Sequence, residues 1–206
     1  IGYSAFIGGY HQLISVVIPD SVIDIGPCAF QYCTSLRSVT LPDNAISVGT
    51  HVFRGCTGLS DDEGFIILNN VLYAHLKNTN SVVIPNGVMR IADFAFDNQS
   101  LLENITIPKG VTEIGEHAFR DCKLLTDIIL PDSITNIKNY AFNSCISMAD
   151  IVFDGNAPVL EGKSVFYGIH PECTAHVKRK STGWNVEIPG KWNGINIVYQ
   201  DGIYVN

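Results

Sequence analysis

Histidine is the residue type in this sequence best suited to metal binding or proton transfer, because a neutral imidazole is a common metal ligand. Six histidines are spread along the chain: His11, His51, His75, His117, His170 and His176. His51 and His117 hold the same position in a repeated pattern, three repeats apart. At ~4.8 Å per repeat they are separated by roughly 15 Å. That separation is too large for one metal ion, so we expect no metal site on this pair.

Three consecutive acidic residues, Asp61-Asp62-Glu63, offer carboxylates that could hold a cation. Calcium-binding loops alternate their carboxylates along the chain, and these three are adjacent instead. A solvated bend is the preferred interpretation, and a cation site is the alternative.

Catalytic sequence motifs are absent from the chain. There is no Gly-x-Ser-x-Gly, no Walker loop, no His-Glu-x-x-His and no Gly-x-Gly-x-x-Gly before a helix. Carboxylate pairs occur, but nothing in the pattern indicates a pocket that would perturb them. We therefore expect a protein that is not an enzyme and that uses no cofactor and no metal.

Cysteines recur at a fixed spacing, with 23 residues from Cys33 to Cys56 and again from Cys122 to Cys145. Equivalent residues in neighbouring repeats have Cα atoms ~4.8 Å apart, which permits a disulfide. The same position holds Gln99 in another repeat, so it does not require a partner cysteine. Free buried thiols are the expectation, with Cys28 and Cys173 also unpaired, and two disulfides are the alternative.

Composition excludes several classes of protein. The 206 residues are 46% hydrophobic and 16% charged, which predicts a folded chain with a sizeable core. A net charge of −7 argues against nucleic-acid binding, and we interpret Lys178-Arg179-Lys180 as a solvated turn. No apolar run reaches the ~18 residues of a membrane helix, so no membrane insertion is expected. Ile1-Gly2 falls inside the repeat pattern, which indicates a fragment or processed form.

The repeat that must position all these residues has a period of 23 or 24. Residues 29–42 read AFQYCTSLRSVTLP, and residues 118–131 read AFRDCKLLTDIILP. The full unit is Ile-Gly-x-x-Ala-Phe-x-x-Cys-x-x-Leu-x-x-Val-x-Leu-Pro. Its period follows one phenylalanine column: Phe6, Phe30, Phe53, Phe96, Phe119, Phe142 and Phe166.

Each column of the repeat predicts a structural role. The Leu-x-x-Val-x-Leu part predicts a short strand that the following proline ends. Gly26, Gly49 and Gly115 follow an aliphatic residue, where we expect a turn with positive φ. One unit cannot bury its own apolar side, but stacked units form a parallel sheet over a spine of phenylalanines.

This pattern resembles the BspA-like, treponemal-type leucine-rich repeat surface protein family, from about Ile1 to Asp154. The resemblance implies a leucine-rich repeat solenoid, a right-handed curved stack with a parallel β-sheet on its concave face. It also implies short helical or irregular segments on the convex face and few long helices. Members are typically surface or secreted proteins with proposed adhesion, so an extracellular or cell-surface location is expected.

We expect one domain over residues 1–206. Repeats fill residues 1–153, with a variant unit at 60–80 in which Asn69-Asn70 joins a predicted hairpin. Residues 154–206 form a degenerate last repeat and a C-terminal cap that holds Trp184 and Trp192. A ligand platform built on the two tryptophans is the alternative to the cap.

Strand alternation predicts which side chains face outward on the concave sheet. They are small hydroxyls and β-branched residues that turn acidic toward the C-terminus: Ser15, Val17, Ser38, Thr40, Ser81, Val83, Asn104, Thr106, Asp127, Ile129, Asp150 and Val152. We expect a recognition or adhesion module that binds a protein or glycan partner on this face. A structural spacer with no ligand and an intracellular adaptor are the alternatives. The sequence indicates neither the partner's identity nor an oligomeric state.

Overall fold

A computed structural model describes residues 1–8, 12–42 and 47–200, and every regular element among them is a β-strand. His11 lies outside the described residues. In those same ranges there is no helix long and apolar enough to cross a membrane. The chain divides into two compact units, Ile1–Lys77 with Ile91–Ala95 and Asn78–Arg90 with Phe96–Asn206.

The strands are short, and most have two to four residues. In chain order they are β1 (Ser15–Val17), β2 (Asp24–Ile25), β3 (Ser38–Thr40), β4 (Ser47–Val48), β5 (Phe65–Leu68), β6 (Val71–His75), β7 (Ser81–Val83), β8 (Arg90–Ile91), β9 (Asn104–Thr106), β10 (Glu113–Ile114), β11 (Asp127–Leu130), β12 (Asn136–Lys138), β13 (Asp150–Phe153), β14 (Val159–Glu161), β15 (Thr174–Val177), β16 (Gly190–Trp192) and β17 (Ile195–Tyr199).

The strands predicted from Leu-x-x-Val-x-Leu are present and parallel. In the first unit β1 pairs with β3, and in the second unit β7 pairs with β9. Strands β11, β13, β15 and β17 form one parallel sheet, in which each residue lies opposite its equivalent in the next repeat. The predicted leucine-rich repeat solenoid is therefore confirmed, with turns and not helices between the strands.

A second set of strands was not predicted. It lies at the Ile-Gly end of the repeat, where β2 pairs with β4 in the first unit and β10, β12 and β14 pair in the second. These strands have two or three residues, which is too short for hydrophobic alternation to reveal them. Each repeat thus contributes two strands and not one.

Stacked phenylalanines fill the interior. In the first unit the ring centroids are 5.2 Å apart between Phe6 and Phe30 and 5.8 Å between Phe30 and Phe53. In the second unit Phe119 lies between Phe96 and Phe142, at 5.2 and 5.4 Å. Each stacked pair contributes about 0.5–1.5 kcal/mol beyond the burial of its area.

The expectation of positive φ at the repeat glycines is wrong. Gly26, Gly49 and Gly115 are not among the residues with positive φ. Gly26 and Gly49 are needed for space instead, because a Cβ on Gly26 would lie 2.8 Å from the Tyr3 nitrogen and one on Gly49 would lie 2.6 Å from the Pro27 nitrogen. Neighbouring repeats approach each other closely at these two glycines.

The variant repeat contains an antiparallel hairpin of β5 and β6. Its two-residue turn is formed by Asn69 and Asn70, with φ of 46° and 62°. Both values lie in the left-handed region, which is required at both central positions of a type I′ turn and is well tolerated by asparagine.

The two tryptophans of the tail are buried and pack on the last phenylalanines. Trp184 and Trp192 are each 5% exposed. Their ring centroids lie 5.1 and 5.5 Å from that of Phe153 and 4.9 Å from each other. A ligand platform needs an open ring face, so the cap is the interpretation that fits these side chains.

Candidate binding face

The twelve predicted binding residues point away from the interior. Four of them lie on β1 and β3 in the first unit, and eight lie on β7, β9, β11 and β13 in the second. All twelve are exposed or half-buried, whereas the residue between each pair faces inward, as Ile128 and Ile151 do in β11 and β13. We call this outward side of the strands the strand face.

The strand face continues beyond the predicted residues. Because β15 and β17 pair in register with β13, Thr174 and Asn196 follow Asp150, while His176 and Val198 follow Val152. Sequence reasoning missed these four residues because the tail lacks the Pro column and keeps the Phe column only at Phe166. The alternation in Thr174-Ala-His-Val177 was the available signal.

One side-chain contact joins two strands of this face. The Nε2 atom of His176 lies 2.6 Å from Oδ1 of Asp150. The His176 side chain is 11% exposed, whereas the Asp150 side chain is 49% exposed. The imidazole therefore orients a carboxylate that stays open to solvent.

Two carboxylates are neighbours on the strand face, because Asp127 pairs with Asp150 across β11 and β13. Like charges directly opposite each other on adjacent strands are destabilising. The hydroxyl of Thr126 donates to Oδ2 of Asp127 at 2.9 Å, which fixes the second carboxylate as well. A positively charged group placed between them would relieve the repulsion.

The basic run of the tail does not form an independent cationic site. Lys178, Arg179 and Lys180 are exposed. Lys178 pairs with Oδ1 of Asp154 at 2.6 Å, and the Arg179 guanidinium lies 4.6 Å from the Tyr199 ring centroid. In both contacts the positive charge interacts with a group of the same chain.

Metal chemistry finds no support in the described part of the chain, where no group of three or more His, Cys, Asp or Glu side chains could hold an ion. In the acidic stretch, Oδ1 of Asp61 accepts hydrogen bonds from the backbone N–H groups of Glu63 and Phe65, at 3.0 and 2.8 Å. The Asp61 carboxylate therefore stabilises the bend in which it lies.

The cysteines lie inside the repeats as free thiols. Each thiol of the repeated column donates to a phenylalanine carbonyl of the preceding repeat, for example Cys56 to Phe30 at 2.9 Å and Cys145 to Phe119 at 3.1 Å. Burial raises the pKa of Cys56 and Cys122 to about 12. A thiol with so high a pKa is a poor nucleophile, so these cysteines serve packing.

The family profile that matches the chain is described as the BspA type Leucine rich repeat region. It matches residues 1–62 and 66–172 in six copies. No curated protein sequence matches the chain.

Three solved structures are similar to the chain. A leucine rich cell surface protein of Faecalibacterium prausnitzii is 24% identical, with 93% of this chain and 61% of that chain covered and a TM-score of 0.43. A leucine-rich repeat protein of Bacteroides ovatus is 25% identical, with coverages of 98% and 55% and a TM-score of 0.48. The pneumococcal vaccine antigen PcpA is 19% identical, with coverages of 92% and 58% and a TM-score of 0.55.

The chain thus spans 55% to 61% of the length of these three proteins. The similarity to the pneumococcal antigen is a similarity of fold. The family profile covers well over half of the sequence and comprises the repeats from which the Phe, Cys and Pro columns were read. The chain belongs to the BspA-type leucine-rich repeat family.

Proposed function

We propose that the chain is a non-enzymatic recognition module that binds a macromolecular partner through its strand face, outside the cell or at its surface. The location rests on family membership, since members are typically surface or secreted proteins. Repeats of this kind offer extended surfaces suited to macromolecules.

The observation that carries the proposal is the row of side chains on β11, β13, β15 and β17. Asp127, Asp150, Thr174 and Asn196 form a polar row in strict register. Beside it runs a second row of mostly β-branched residues, Ile129, Val152, His176 and Val198. Together they make one continuous surface of hydrogen-bonding groups and apolar contacts.

The chemistry of this surface supports one class of partner. The neighbouring carboxylates of Asp127 and Asp150 favour a partner with lysine, arginine or hydroxyl groups at this end of the face. Of the residue types that dominate tight interfaces, the twelve predicted positions include neither Trp, Tyr nor Arg. The contact is therefore broad and weak, and several copies strengthen it through avidity.

A structural spacer is the second candidate, and the composition of the face favours it. Val17, Val83, Thr40 and Thr106 are residue types that strands prefer for their own stability. If the face has no ligand, the repeats hold another domain away from a surface.

The experiment screens the purified chain against arrayed extracellular proteins and glycans, and then measures surface variants against the strongest binder. Asp127→Lys combined with Ile129→Lys should abolish binding, because it reverses the charge of the face. Asp132→Lys is a matched control, since this exposed aspartate lies in the turn after β11.

The comparison of variants separates the candidates. Loss of binding in the strand-face variant alone supports the proposal. Loss only in a tail variant, Lys178→Glu with Lys180→Glu, would move the site to the C-terminal cap. A chain that binds nothing on the array would favour the spacer.

A further inference from the structure

A second surface lies in the turns of the repeats and has an unusual backbone conformation. The residue before the alanine column has φ between 52° and 60° in six repeats: Ser4, Cys28, His51, Phe94, His117 and Tyr140. This left-handed region suits glycine, asparagine, aspartate and histidine and is unfavourable for aromatic side chains. Phe94 and Tyr140 therefore occupy a conformation that disfavours them.

Another left-handed position, four residues later in the same repeats, provides the comparison. It holds Gly8, Tyr32, Gly55, Asn98, Asp121 and Ser144. Apart from Tyr32, these are the small or short polar residues that such a backbone favours. The repeat therefore accepts ordinary turn residues, and the rings of Phe94 and Tyr140 at the first position contradict the local preference.

In the second unit His117 and Tyr140 of this position form an array with Tyr167, a ring from a different column of the repeat, and we call these three residues the turn-edge row. The His117 and Tyr140 rings are parallel to within 2°, with centroids 5.0 Å apart. The Tyr167 ring meets Tyr140 nearly at right angles, with centroids 6.3 Å apart. Tyr167 is 65% exposed, and the other two are half-buried.

Planar polar groups lie beside these rings. Turn hydrogen bonds run from the Arg120 nitrogen to the His117 carbonyl at 3.1 Å and from the Asn143 nitrogen to the Tyr140 carbonyl at 3.0 Å. The Nδ2 atom of Asn143 donates to the Tyr167 carbonyl at 3.2 Å, which holds the Asn143 amide beside the row. Within the described ranges, the hydroxyls of Tyr140 and Tyr167 have no hydrogen-bond partner in the chain.

The charge at this edge is compensated. The Arg120 Nε atom lies 2.7 Å from Oδ1 of Asp97, whose side chain is only 5% exposed. Arg120 also lies 3.8 Å from Asp121. A strongly charged ligand gains little from such a surface, in contrast to the strand face with its two open carboxylates.

We propose that the turn-edge row binds a neutral oligosaccharide. The apolar C–H face of a sugar ring packs on an exposed aromatic ring, here Tyr167 first. Its hydroxyl groups exchange hydrogen bonds with the tyrosine hydroxyls and with the Asn143 amide. Rings fixed on a rigid turn lose little conformational entropy on binding.

The test uses the full chain and a panel of immobilised neutral oligosaccharides, with glucose, galactose, mannose and N-acetylglucosamine as the sugar units. The wild-type chain should bind at least one of them. Tyr167→Ala and Tyr140→Asn should each weaken that binding about tenfold, which corresponds to roughly 1.4 kcal/mol. Tyr167→Phe keeps the ring and should retain most of the affinity.

Two controls separate this site from other surfaces. Tyr32→Ala removes an equally accessible tyrosine, 51% exposed, from the first unit and should leave binding unchanged. Asp150→Lys alters the strand face and should also leave it unchanged, so the two proposals fail independently. Circular dichroism and thermal unfolding establish that each variant is folded.

Three results would overturn the proposal. The wild-type chain binds no sugar of the panel, or binding survives Tyr140→Asn combined with Tyr167→Ala in a folded chain. The third is that these two variants lose a protein ligand and not a sugar, which would assign the turn edge to a protein partner.

Discussion

The strand face and the turn edge of the second unit differ in how far the fold explains their residues. On the strand face, Thr106, Ile129 and Val152 are residues that a parallel strand prefers for its own packing. On the turn edge, Tyr140 occupies a left-handed backbone conformation that disfavours its aromatic side chain. Residues that follow the local preference need no further reason, whereas residues that contradict it indicate a second requirement, which we assign to binding.

The largest effect is expected below both surfaces. Phe119→Ala removes a fully buried ring that stacks on two others, so it should cost roughly 3–5 kcal/mol of unfolding free energy. Thermal unfolding should then fall by roughly 10 °C. This fall in unfolding temperature is the reference with which the effects of surface substitutions are compared.

Exposed Leu124→Ala is the matched control, because it shortens an apolar side chain of the same repeat that is 42% exposed. Its unfolding temperature should stay close to that of the wild type. A Phe119→Ala variant that unfolded within a degree of the parent would contradict the phenylalanine spine.

Alkaline pH should produce the next effect, through the buried thiols of the repeats. Burial raises the pKa of Cys56, Cys122 and Cys173 from 9.0 to about 12 in the folded chain. Their contribution to stability is complete below pH 9 and is lost as the pH rises toward 12. Urea unfolding at a series of pH values measures this loss.

Cys122→Ala removes one of these thiols and should make the loss of stability between pH 9 and 12 less steep. Cys28→Ala is the control, because Cys28 is only half-buried. Parallel pH curves for the wild type and Cys122→Ala would show that this thiol is not protected by the fold.

A smaller effect is expected on the strand face. Asp127→Asn removes one of two neighbouring carboxylates and keeps an oxygen for the Thr126 hydroxyl, so it should stabilise the chain by about 0.2–1 kcal/mol. The gain should shrink at high salt. Asp132→Asn, away from this pair, should change nothing, and a destabilised Asp127→Asn would argue that the carboxylate is satisfied within the chain.

The sequence predicted the part of the fold that depends on long-range periodicity. The 23-residue period, the Leu-x-x-Val-x-Leu strands and the hairpin at Asn69-Asn70 each have a direct physical signature in residue type and spacing. The strand-face residues followed from alternation alone, because consecutive side chains of a strand point to opposite sides.

The rest had no such signature. Strands as short as Asp24–Ile25 show no alternation, and the left-handed positions were assigned to Gly26 and Gly49 when His117 and Tyr140 were among those that adopt them. His176 was missed because the tail keeps the register of the sheet without keeping the repeat pattern. The backbone conformation of the turns and the strand register of the tail have no signature in residue type, and the structure is needed to show them.

The rings of the turn edge are assigned to binding and not to stability. The decisive measurement is thermal unfolding of His117→Asn combined with Tyr140→Asn. Asparagine suits the left-handed backbone better than tyrosine does, and a gain of about 1 kcal/mol at Tyr140 offsets the lost ring stacking of about 0.5–1.5 kcal/mol. We predict an unfolding temperature equal to or above that of the wild type, and a fall of about 5 °C or more would show that the rings serve the fold.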